Sequence, residues 1–198
     1  MFMTPLIFHA IDFSASQVGS GLAIAALIGT VVRLLCGALL DRGLSCSWPV
    51  RITTLLAITA DCVLIRAESY GGYLLGQLLL GCAAGLYWPA IELAVPLSCG
   101  SVPSGRGYAL VRSADALGIG IGALIGTVAA TLDTLRVVYA VEALFMGAVL
   151  VLISLQPLIE GPTVRDLNRA ATNSDNSVSA SSRAWLLPLL PVLGISIV

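Results

Sequence analysis

The 198-residue sequence predicts an all-α fold of the polytopic membrane type, on two observations. Hydrophobic residues make up 58% of the chain and charged residues only 11%, with a mean hydropathy of +0.97. A soluble domain holds about 45–50% apolar and about 25% charged residues. The apolar runs are also long and lack the strict alternation of a membrane β-barrel, which leaves a helical bundle as the spanning structure. A net charge of −1 offers no surface for nucleic acid, so no nucleic-acid partner is expected and the lipid bilayer is the first partner.

Residues 1–11 are apolar but too short to span, since a span needs about 20 residues. They carry neither the basic leader nor the small-residue cleavage site of a signal peptide, and read as the tail of a helix. Residues 12–17, Asp-Phe-Ser-Ala-Ser-Gln, form a polar turn with helix N-cap chemistry. Five full spans follow, at about 18–40, 50–65, 70–97, 108–132 and 137–158. Their short connections make sequential neighbours antiparallel. Residues 159–184 change character to Gly-Pro, scattered charges and a Ser/Asn-rich run, and read as a polar linker with a short amphipathic helix at 164–171. Residues 185–198 are apolar again and read as the start of a seventh span. The expected organisation is a bundle over 1–158, a linker over 159–184 and a partial span over 185–198, with both chain ends truncated within helices.

Arginines orient the chain. The connection after the first full span carries Arg42 and Arg51, the one before Tyr108 carries Arg106, and the linker carries Arg165, Arg169 and Arg183, against Arg66 and Arg136 on the other side. The positive-inside rule makes the Asp41 loop and the linker cytoplasmic in a cell (inner or plasma) membrane.

The stretch Gly37-Ala-Leu-Leu-Asp41-Arg42-Gly43 resembles the loop motif between the second and third helices of the major facilitator superfamily (MFS). Gly37, Asp41 and Arg42 fall in register; the next glycine comes one position early, and the usual basic pair is replaced by the more distant Arg51. Six helices followed by a long cytoplasmic linker also match that superfamily. So does an internal echo, Ala-Leu-Ile-Gly-Thr-Val at 26–31 and again at 123–128, which falls in counterpart helices of the inverted three-plus-three repeat. The resemblance implies an MFS-type six-helix half bundle. It further implies a secondary transporter that moves a small-molecule solute by alternating access, proton-coupled or facilitative, completed by a missing C-terminal half or a second copy. The alternatives are a non-transporting truncated half serving as an interaction module, and a half-size carrier acting as a homodimer.

Particular residues carry this reading. Gly37, Asp41 and Arg42 are the candidate gating motif. Gly29, Arg33, Gly37 and Asp41 recur every four residues and share one helix face, with Arg33 about two turns inside the boundary, where an arginine is costly unless paired or functional. Gln77, Gly81, Gly85, Trp88 and Glu92 share another face. Gln77 stands where the superfamily often has arginine, and Trp88 precedes Pro89, which should bend the helix. Gly118, Gly122 and Gly126 form a small-residue seam that resembles the fifth-helix motif of drug-proton antiporters, with Ala123 in place of its proline. Arg112 and Asp115, three apart, can pair. The solute-cavity candidates are therefore Arg33, Gln77, Trp88 and Asp115; the proton-carrier candidates are Glu92 and Asp115; and the helix-packing candidates are Gly81, Gly85, Gly118, Gly122 and Gly126. Asp61 and Glu142 lie towards the outer ends of their spans and read as solvated or paired. No HExxH, Walker loop, GxSxG or His-Cys arrangement is present, so no enzyme, no cofactor and no metal site is expected, and the five cysteines read as packing residues.

Overall fold

The computed structural model describes residues 13–99, 103–132 and 134–158. The expected helix tail at 1–11, the expected linker and amphipathic helix within 159–184, and the expected seventh span at 185–198 lie outside the described residues. The described residues form five helices: α1 (Ala15–Asp41), α2 (Ser47–Arg66), α3 (Tyr70–Cys99), α4 (Ser104–Thr131) and α5 (Val137–Leu155). All five are long and apolar enough to cross a membrane.

Local chemistry sets the ends. Ser14 caps α1 with a reciprocal box: its Oγ accepts from Gln17 N at 3.2 Å, and Gln17 Oε1 accepts from Ser14 N at 3.0 Å. The other end of α1 closes as a Schellman motif, with Leu44 N donating to Leu39 O at 3.2 Å and Gly43 N to Leu40 O at 2.9 Å. Gly43 holds φ at 94°, a left-handed conformation that glycine adopts without a Cβ penalty. The glycine that arrives early in the loop motif is therefore the helix stop.

α3 is the central element. α1 runs parallel to it: Tyr73 Oη donates to Val18 O at 2.8 Å, and Cys36 Sγ to Leu86 O at 3.6 Å. Between these points glycines let the backbones approach, since a Cβ on Gly85 would lie 2.6 Å from Gly29 O, and one on Gly81 would overlap Ala25 O. α2 runs antiparallel to α3, with Thr53 Oγ1 donating to Ala83 O at 3.0 Å and Leu64 seated where Gly76 has no side chain. α5 runs antiparallel to α2. Arg136 at its start donates to Ile65 O (2.8 Å) and Ala67 O (3.1 Å), Arg51 donates to Ile153 O (3.4 Å), and Ser47 Oγ accepts from Leu158 N (2.9 Å).

α4 is held to α3 near one end. Gly107 fits against Cys99 and Val95, and Tyr108 Oη donates to Glu92 O at 2.8 Å. That carbonyl is free because Pro96, four residues on, has no N–H to offer it. The echoed hexapeptides occupy equivalent local structure: Thr30 Oγ1 bonds Ala26 O at 2.8 Å in α1, and Thr127 Oγ1 bonds Ala123 O at 2.9 Å in α4. With α1 parallel and α4 antiparallel to α3, the two copies point in opposite directions.

Two apolar clusters close the ends of the bundle. One gathers Cys36, Leu40, Val50, Ile91, Val95 and Ile153; the other gathers Val18, Leu64, Tyr73, Leu80 and Tyr139.

Candidate functional site

Among α2, α3, α4 and α5 lies a cavity of about 690 Å3. Its wall is largely apolar, built from Thr54 and Ala57 of α2, Leu80 and Ala84 of α3, Gly118 and Gly122 of α4, and Phe145 and Met146 of α5. Its polar groups are few and sit at two levels.

Towards the end of the bundle that holds the Asp41 loop, Trp88, Arg112 and Asp115 face the cavity. The Arg112 guanidinium carbon lies 4.7 Å from the centre of the Trp88 ring, a cation–π arrangement that also orients the fork. One Nη is 3.7 Å from Asp115 Oδ2 and the other 3.7 Å from Glu92 Oε1. Tyr87 packs edge-on against Trp88 at 5.3 Å between ring centres and fixes the indole. The result is one cation held between two carboxylates over an aromatic face. Because Arg112 and Glu92 are exposed, the pair is open to exchange with an incoming charged group.

The structure brings together three of the expected site residues, Trp88, Glu92 and Asp115, and adds Arg112 as their hub. Counting back equal distances from the 100–103 connection places residue 92 opposite 111, so the neighbourhood of Arg112 was available from hairpin geometry. Gln77 does not line the cavity wall but is buried, at 1% exposure, on the same α3 face. Arg33 stands apart: it is exposed on α1, does not border the cavity, and makes no ion pair among the described residues. The reason is that beyond Gly29 the α1–α3 seam continues through Val32 and Cys36 and not through Arg33 and Gly37, so the face the four-residue spacing suggested is split and Arg33 lies off the seam.

The glycines divide. Gly81 and Gly85 have close neighbours across the α1–α3 seam, whereas Gly37 and Gly122 have nothing within 4 Å of an added Cβ. Gly118 and Gly122 border the cavity, and Gly126 is buried. Asp41 and Arg42 are exposed at the end of α1. The largest departure from the sequence reading concerns Asp61 and Glu142. Asp61 is not solvated: it is 0% exposed, and neither carboxylate oxygen has a hydrogen-bond partner. Glu142 lines the cavity.

An all-helical bundle of membrane-spanning length around a cavity with few, convergent polar groups defines a multi-pass membrane protein of the transporter class. The chain belongs to the Major Facilitator Superfamily, whose family profile matches residues 1–197. Its members are transporters rather than enzymes and act on small-molecule solutes. No curated protein and no solved structure matches the chain.

Proposed function

We propose that this chain is the N-terminal bundle of a secondary transporter that moves a small solute by alternating access. The observation that carries the reading is the Arg112 hub: the cation, the Trp88 indole and the Asp115 carboxylate line a cavity of about 690 Å3, and Glu92 pairs with Arg112 from beside it. That volume lies in the range of small-molecule sites, about 300–1,000 Å3. Solute contacts fall to Trp88, Arg112 and Asp115, with Gln77 deeper on the same face. Where transport is proton-coupled, Glu92 or Asp115 exchanges the proton, because each can trade its bond to Arg112 for one. Gly37, Asp41 and Arg42 form the gate at the end of α1, on the cytoplasmic side.

A second bundle, either a C-terminal half or another copy, completes the carrier. Supporting this, α1 and α4 carry rows of exposed apolar residues, among them Leu27, Leu34, Leu117 and Leu124. A non-transporting membrane module remains the alternative, and one experiment separates the two. In the full protein with native cysteines replaced, Ala84→Cys is exposed to an impermeant thiol reagent in right-side-out and inverted vesicles. Alternating access expects labelling from both faces with no measurable ion conductance. Labelling from one face alone rejects the proposal.

A further inference from the structure

The cavity has a second polar level, towards the end where α2 gives way to α3. On α2, Val50, Thr54 and Ala57 line the cavity, and Asp61 is the next residue on that face. On α3 the lining residues Trp88, Ala84 and Leu80 lead in the same way to Gln77. On α5, Glu142 borders the cavity itself. Helix register puts the three at one depth. The Thr53–Ala83 hydrogen bond and the Leu64–Gly76 contact bracket Asp61 and Gln77, while the Arg51–Ile153 and Arg136–Ile65 bonds bracket Asp61 and Glu142. Glu142 is near enough for its charge to act on Asp61.

Two of these groups, Asp61 and Gln77, lack the partner their chemistry asks for. Asp61 is 0% exposed with both oxygens unbonded, and Gln77 is 1% exposed with Nε2 unbonded. A buried carboxylate without donors is costly, and the charge of a second carboxylate nearby adds to that cost. The nearby charges are already committed. Both Nη groups of Arg136 bond carbonyls of the α2–α3 corner, and Arg112 serves Glu92 and Asp115 at the other level. From α3, the Tyr73 hydroxyl donates to Val18 O, and Tyr139 of α5 is engaged as well. The docked face of α1, Val18, Gly21 and Ala25, brings nothing titratable.

We propose that Asp61 and Glu142 form a proton-binding site, one proton shared between the two carboxyls with the Gln77 amide donating to the member left ionised. The shared proton removes one of two like charges and supplies the missing hydrogen-bond donor, as in other close carboxyl pairs. The site is separate from the Arg112 hub and requires no statement about the solute, so either can fail without the other.

The test is infrared difference spectroscopy between acid and alkaline pH on the full chain in phosphatidylcholine nanodiscs, without sodium. The expected result is a protonated-carboxyl C=O band that persists at neutral pH. It is lost in Asp61→Asn, shifted or lost in Glu142→Gln, and unchanged in Asp115→Asn. If Asp61→Asn does not fold, Glu142→Gln decides. Absence of the band from the wild type at neutral pH, or an unchanged band in either variant, overturns the proposal. So does loss of the band on adding sodium at constant pH, which would make the site one for a metal cation.

Discussion

Replacing Gly81 with alanine should push α1 and α3 apart. The added Cβ would overlap Ala25 O and stand 2.8 Å from Ala25 Cα, about 0.6 Å short of the 3.4 Å at which ordinary contact begins. The obstruction is backbone, not the tip of a flexible side chain, so relief has to come from moving a helix. The movement also disturbs the neighbouring approach, where a Cβ on Gly85 already meets Gly29 O at 2.6 Å. Overpacking of this kind costs about 1–3 kcal/mol. For a chain of this length each kcal/mol lowers the melting temperature by about 2–4 °C, so the expected fall is about 2–12 °C. Fluorescence-detected size-exclusion after heating, in a single detergent, measures it. Gly120→Ala is the control, since its Cβ would meet nothing within 4 Å and alanine is the better helix former. A Gly81→Ala protein as stable as the wild type would refute the argument that this seam is closed by backbone contact.

Three further outcomes follow from the same contacts. Arg112→Gln should reduce solute transport at least tenfold with little change in melting temperature, because the side chain is exposed yet serves both carboxylates; Arg112→Lys should restore it only in part, since an ammonium lacks the planar fork that stacks on Trp88. Tyr108→Phe should cost about 1 kcal/mol in the wild type and less in a Pro96→Ala background, where residue 96 can bond the Glu92 carbonyl itself; a thermal double-mutant cycle reads the difference. Gly43→Ala should lower stability by about 1 kcal/mol through its φ of 94°, with no loss of packing, checked by melting in the same detergent.

Much of this architecture was legible in the linear chain because its causes are local. The apolar lengths of the spans follow from bilayer thickness, and the Ser14–Gln17 cap from residues three apart. The Gly37–Gly43 stretch announced a helix end, and the hexapeptide echo announced an inverted pair whose two threonines make the same bond. Trp88, Glu92 and Asp115 could be named because polar groups at helical spacing within apolar runs are scarce and conspicuous.

What lay beyond the sequence was convergence between helices. Arg112 reads as a partner of Asp115, three residues away, and hairpin counting sets it level with Glu92, but its place over the Trp88 ring depends on how α4 packs on α3. Arg33 is as conspicuous in sequence as Arg112, yet the rotation of α1 on α3 turns it out of the cavity. Asp61 and Glu142 stand 81 positions apart and near span ends, where solvation is the ordinary fate of a carboxylate. Only the register of α2 on α5, fixed at both ends by arginine–carbonyl bonds, sets them at one depth, with Asp61 buried and Glu142 on the cavity wall. Membrane thickness and local capping thus determine where the helices are. The facing of each polar group is decided by rotation and register, which depend on side chains far apart in the chain fitting together.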